Sequence, residues 1–167
     1  QEIKKIKSVR QTVLVTMLGF VFTFVFAAIL FIANTFIDES KQQLEQNVKQ
    51  WARYVNALST PDLNAGRIRE LVQKLAVFKA NKQIQHIDIY QLQSTDNQYR
   101  IVASYDHIKG SELTPATSGL SEQERNLYSQ PQFEQDIVSY ISAIKNKDQI
   151  SGYVFIQLDS HNGLTLT

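Results

Sequence analysis

Three histidines, His86, His107 and His161, are the first places to look for acid–base or metal chemistry in this chain, because imidazole titrates near neutrality. His86 and Asp88 stand two residues apart, so on a strand they share a face and could reach one metal ion. No H-x-x-x-H or H-E-x-x-H pair accompanies them, and two exposed strand residues account for the pattern without a metal. Asp106 and His107 follow Ser104 closely and supply the residue types of a hydrolase. However, G-x-S-x-G is missing, and neighbours in sequence do not form a Ser-His-Asp relay. Neither G-x-x-x-x-G-K nor G-x-G-x-x-G occurs, which removes the usual phosphate cradles. The carboxylates are scattered, with no facing pair for glycoside chemistry. The chain has no cysteine, which excludes disulfides, thiolate metal sites and thiol nucleophiles. The expectation is therefore a protein with no catalytic residues, no metal and no cofactor. Aromatic residues remain: Tyr90, Tyr105, Tyr140 and Tyr153 are the expected lining of a small ligand pocket, with Tyr99 and Phe155 nearby in sequence.

The elements that must position these residues begin with an uncharged stretch. Residues 11–37 carry no charge, and residues 13–37 read VLVTMLGFVFTFVFAAILFIANTFI. As a helix, residues 12–37 would be about 39 Å long, enough to cross a hydrocarbon core of about 30 Å with some tilt. The run is too long for the apolar region of a cleaved signal peptide and shows no polar face for lying on a surface. Gly19 and Thr23 are the residues expected to pack this helix against another. Lys4, Lys5, Lys7 and Arg10 against Glu2 give residues 1–11 a charge of +3, leaving −2 for the rest of a chain with net charge +1. The excess of cations before the helix predicts a cytoplasmic N-terminus and export of residues 38–167. In a bacterium that means the inner membrane and the periplasm. The acidic balance of the remainder excludes a nucleic-acid surface. A chain that opens on Gln1 is also expected to continue upstream.

Residues 38–58 contain neither Gly nor Pro and are expected to prolong the helix. Leu44, Trp51 and Leu58 recur every seven residues with Val48 and Val55 between them, the spacing of a short coiled coil. This stripe would either join two copies into a homodimer or pack on its own domain. Ser59-Thr60-Pro61 is expected to end or sharply bend the helix. A second helix should then follow Asn64 as N-cap, burying Ile68, Leu71, Val72, Leu75 and Phe78, pairing Glu70 with Lys74, and stopping at Asn81.

Beyond Asn81 the periodicity changes from helical to alternating. Residues 85–91 place Ile87 and Ile89 on one face and His86, Asp88 and Tyr90 on the other. A turn at residues 94–97 leads to a strand at 99–105, forming a hairpin. Ser121-x-x-Glu124 predicts a capping box and a short helix near 122–129. Residues 133–144 and 151–158 read as two strands of a closing hairpin. The expected fold is α+β: a transmembrane helix (12–37) behind a cytoplasmic basic head (1–11), a juxtamembrane helical region (38–80), and a strand-rich domain (81–167). Its antiparallel sheet would carry helices on one side.

A basic head, one spanning helix, a long following helix, an I-D-I-Y strand and then I-V-A-S resemble the periplasmic, PAS-like sensor regions of bacterial histidine kinases and diguanylate cyclases. The segment G-Y-V-F-I-Q-L-D-S-H at residues 152–161 is similar to the last strand of such domains. The layout and the G-Y-x-x-x-x-L-D ending also resemble the Smp/AhpA-like inner-membrane proteins. The first resemblance implies a membrane-anchored sensor or regulatory domain that binds a small molecule or a partner and signals through its transmembrane helix. In that case the chain continues into a second membrane helix and an output domain, or hands its state to a partner. The second implies a non-catalytic envelope interaction or assembly protein whose periplasmic domain binds another protein. The partners expected are the lipid bilayer, a second copy of the chain, and an envelope protein or small ligand.

Overall fold

A single helix, α1 (Glu2–Asn64), opens the computed structural model, which describes residues 2–112 and 119–161 and the side chains from residue 5 onward within them. The chain divides into two units, residues 1–42 and residues 43–167. In the first unit α1 is long and apolar enough to cross a membrane. Its aromatic side chains have no protein cover: Phe20, Phe22, Phe24 and Phe31 are 74–78% exposed, a condition that water penalises and lipid does not. The few hydroxyls in the stretch satisfy themselves on the carbonyl one turn back, as Thr16 does on Thr12 (2.7 Å) and Thr23 on Gly19 (2.8 Å). This removes the cost of placing them in an apolar medium. Around Gly19 an added Cβ would meet nothing.

The second unit is built on six antiparallel strands: β1 (Ile84–Leu92), β2 (Tyr99–Asp106), β3 (Gly110–Glu112), β4 (Gln132–Glu134), β5 (Ile137–Asn146) and β6 (Gln149–Asp159). Their order across the sheet is β3-β2-β1-β6-β5-β4, so the first and last long strands meet in the middle. Alternation sorts their side chains into two faces. Ile87 and Ile89 lie opposite Ile156 and Val154, and all four are fully buried. Against this inner face pack Val48, Ala52, Val55 and Leu63 of α1, Leu71 and Leu75 of α2 (Ile68–Leu75), and Phe78 of the 3-10 turn Ala76–Ala80 that follows. The chain leaves that turn at Asn81 with an extended backbone, as the sequence predicts.

The structure corrects several local expectations. Pro61 does not end the helix; it sits inside α1, which runs on to Asn64. Pro61 forgoes only its own N–H, and its carbonyl still accepts from Ala65 (3.1 Å), so the final turn closes around it. Asn64 caps no following helix, since α2 starts after Arg67; its side chain instead accepts from Ser151 Oγ (3.0 Å). The turn between the two helices uses Gly66 at φ +73°, a conformation that costs glycine little. Lys74 forms an ion pair with Asp62 rather than with Glu70. Lys74, with Arg67, holds the Asp62 carboxyl below its ordinary pKa against the opposing effect of burial. The single strand expected at 133–144 is a tight hairpin, β4 and β5, reversing at Gln135 with φ +51°.

Helices also lie on both sides of the sheet rather than one. The short α3 (Glu122–Leu127) carries the expected capping box between Ser121 and Glu124. It lies over the outer face, where Arg125 covers the ring of Tyr153 and Tyr128 meets Phe155 edge-on at 5.1 Å.

Candidate functional site

The outer face is where the chemically capable side chains collect. At its polar end His86, Asp88, Ser104 and Asp106 come together because the β1–β2 register sets Asp88 opposite Ser104 and His86 opposite Asp106; directly opposed residues share a face. Ser104 Oγ donates to Asp88 Oδ1 at 2.7 Å, His86 Nε2 lies 2.9 Å from Asp88 Oδ2, and His86 Nδ1 lies 3.4 Å from Asp106 Oδ2. Asp88 raises the His86 pKa above its ordinary value, against burial, with Asp106 adding to the effect. Asp106 is itself held low, chiefly by the backbone N–H of Ile108 and then that of Lys109.

This order of contacts does not make a nucleophile. In a serine hydrolase the imidazole stands between serine and carboxylate and takes the hydroxyl proton. Here the carboxylate stands between serine and imidazole, and both imidazole nitrogens face carboxylates. The arrangement favours a charged imidazolium clamped between two acids and linking β1 to β2. His107 turns its backbone N–H to Gln85 (3.0 Å) and lies outside the cluster's ion pairs. His161 pairs with Asp136 at 3.0 Å near the chain's other end. Among the described residues no group of three or more His, Asp or Glu is placed to hold a metal ion.

The other end of the outer face is aromatic. Tyr90 lies opposite Tyr153, and Tyr99 packs edge-to-face on Tyr153 with centroids 4.9 Å apart. Arg125 closes the group from α3, its guanidinium carbon 5.2 Å from the Tyr99 centroid and 5.8 Å from that of Tyr153. Burial raises the pKa of Tyr90 well above its ordinary value, and the charges of Asp88 and Glu124 add to this; burial also raises that of Tyr99.

The four tyrosines expected to line one pocket therefore separate. Tyr90 and Tyr153 are on the outer face. Tyr105 lies opposite Ile87 and is fully buried among core residues, in edge contact with Phe78. Tyr140 lies opposite Ile156 and packs on the same core. Of the helix stripe, Val48 and Val55 are fully buried in the domain, and Trp51 and Leu58 pack partly buried against it. Leu44 is half-buried. Arg125 and Tyr128 escaped sequence reasoning. The signal was present in the capping box at Ser121, which fixes a helical turn and so sets the direction of Arg125, but not which part of the sheet it covers.

The chain matches no protein-family model and no curated protein sequence, so the functional reading rests on the residues and their geometry.

Proposed function

We infer that this protein is a membrane-anchored sensor or regulatory domain, non-enzymatic, whose residues 38–167 lie in the periplasm of a bacterium with the N-terminus in the cytoplasm. The observation that carries the reading is the pairing, in one chain, of an apolar helical stretch with a sheet whose outer face gathers Tyr90, Tyr99, Tyr153 and Arg125. The first is suited to hold a domain at a bilayer. The second offers aromatic walls and one cation, the ingredients of a ligand site rather than of a bond-breaking centre. The resemblance to PAS-like sensor regions supports the same reading. Signalling requires that the ligand favour one of two arrangements; α1, which contributes both the apolar stretch and core residues, is the element proposed to carry the difference. Association of two copies would draw on the apolar stretch, with Gly19 and Thr23, and on Leu44, because Val48 and Val55 are already committed to the core.

Fusions of alkaline phosphatase or green fluorescent protein after residue 167 test this placement. Active phosphatase and a dark fluorescent fusion are expected. A bright fluorescent fusion with inactive phosphatase would refute an exported domain.

A second reading, an envelope assembly protein, is favoured by a different feature. Trp51, Tyr54, Val77 and Phe78, together with Gln50, Asn81 and Lys82, line a groove of about 660 Å³ with Tyr54 52% and Val77 67% exposed, a partly apolar surface of the kind protein partners cover. Stable co-purification of an envelope complex that is lost on Val77→Asp would favour it over the sensor.

A further inference from the structure

Arg125 is a cation of the outer face that, among the described residues, has no carboxylate paired with it. It is part-buried, and the rings of Tyr99 and Tyr153 hold its guanidinium by their π-faces. That contact steadies the cation without neutralising it and uses none of its N–H groups. Its Nε is shielded from solvent and has no hydrogen-bond partner, and among the described residues no carboxylate pairs with it. The carboxylates that act on neighbouring Tyr90 are engaged elsewhere. Glu124 accepts from the backbone N–H and the hydroxyl of Ser121 (2.9 and 2.8 Å), and Asp88 is held by Ser104 and His86. A guanidinium held in place by two rings, with no carboxylate paired to it among the described residues, can offer its terminal N–H groups to an incoming anion.

The surroundings narrow the class of that anion. Aromatic walls from Tyr99 and Tyr153 favour a flat or apolar body, and a planar fork of N–H donors matches a carboxylate. We propose that Arg125, backed by Tyr99 and Tyr153 and flanked by Tyr90, binds the carboxylate of a small organic acid on the outer face of the sheet. The ligand would lie on the outer face beside α3, its carboxylate on the guanidinium's terminal nitrogens and its body next to the tyrosine cluster. This deepens the sensor reading by naming the ligand class and rests on it only for the choice of binding face.

The test is calorimetric titration of the full chain in detergent micelles with benzoate, with benzamide as the neutral isostere and inorganic phosphate as the anion lacking an apolar body. Benzoate should bind the wild type, and both comparators should bind at least about tenfold more weakly, the loss expected for a charged hydrogen-bonded contact. Arg125→Met should lose benzoate binding to a similar extent. Arg125→Lys keeps the charge but not the fork and should fall between the two, which keeps the test decisive should the methionine variant fail to fold. Benzoate binding unchanged in either variant, benzamide or phosphate binding as well as benzoate, or no benzoate binding to the wild type would each overturn the proposal. Benzoate binding by a chain whose fusions report a cytoplasmic domain would retain this site and reject the exported sensor. The converse result would reject the site alone.

Discussion

Replacing Gly152 by alanine tests the central seam of the sheet. Gly152 is on β6, and a Cβ there would stand 2.1 Å from the carbonyl oxygen of Tyr90 on β1 and 3.1 Å from Leu63 Cδ2 on α1. Carbon and oxygen approach to about 3.3 Å at closest even in favourable C–H···O contacts, so the seam must open by roughly 1 Å. The obstructing atom is backbone, held by the β1–β6 pairing on which both hairpins depend, and cannot rotate aside. Overpacking a core costs about 1–3 kcal/mol, and a clash with fixed backbone belongs at the top of that range. For a unit of this size, about 3 kcal/mol lowers the midpoint of thermal unfolding by about 10 °C. Trp51, the chain's single tryptophan, packs against Phe78 with centroids 6.2 Å apart and reports unfolding by its fluorescence. Adding Leu63→Ala to Gly152→Ala should not restore stability, because the Tyr90 oxygen remains. A midpoint lowered by less than about 2 °C, or recovery in the double variant, would show that the close approach of β1 and β6 does not constrain residue 152.

The remaining predictions concern the outer face. His86 has a raised pKa in the fold, so its stabilisation is complete below the unfolded value of about 6.5 and is lost as pH rises through the higher folded value. His86→Gln should flatten the dependence of the urea midpoint on pH above about 6.5, and a slope equal to that of the wild type would contradict the imidazolium clamp. Ser121→Ala removes the acceptor for the Glu124 amide (3.2 Å) and half of the capping box. A local loss of about 1 kcal/mol is expected, seen as roughly fivefold faster hydrogen exchange at the Glu124 amide. Unchanged exchange there would mean that α3 is held by its aromatic contacts instead.

Much of the fold is legible in short stretches of sequence. The β1–β2 hairpin shows in the alternation around Ile87 and Ile89 and in the polar turn that follows, because strand pleat and turn chemistry are properties of neighbouring residues. The capping box at Ser121 is equally local. The hairpin at Gln135 is hidden in the sequence because glutamine is an unusual residue at φ +51°. Pro61 misleads for the opposite reason: a strong local signal is absorbed where the last turn of α1 packs through Leu63, 1% exposed, into the core. The heptad stripe of α1 is ambiguous in principle, since a helix buried against its own sheet and one paired with a copy of itself need the same apolar spacing.

By itself the sequence determines an uncharged helical stretch of membrane-crossing length, a change from helical to alternating periodicity after Asn81, and a composition without cysteine or a glycine-rich phosphate-loop motif. These follow from composition and from intervals of a few residues, where backbone geometry dictates the outcome. Only the tertiary structure decides that β1 pairs with β6, that Tyr105 faces the core while Tyr90 and Tyr153 face outward together, and that Arg125 meets Tyr99 and Tyr153. Those contacts join residues tens of positions apart, and which of them form depends on how the whole chain buries its apolar surface at once.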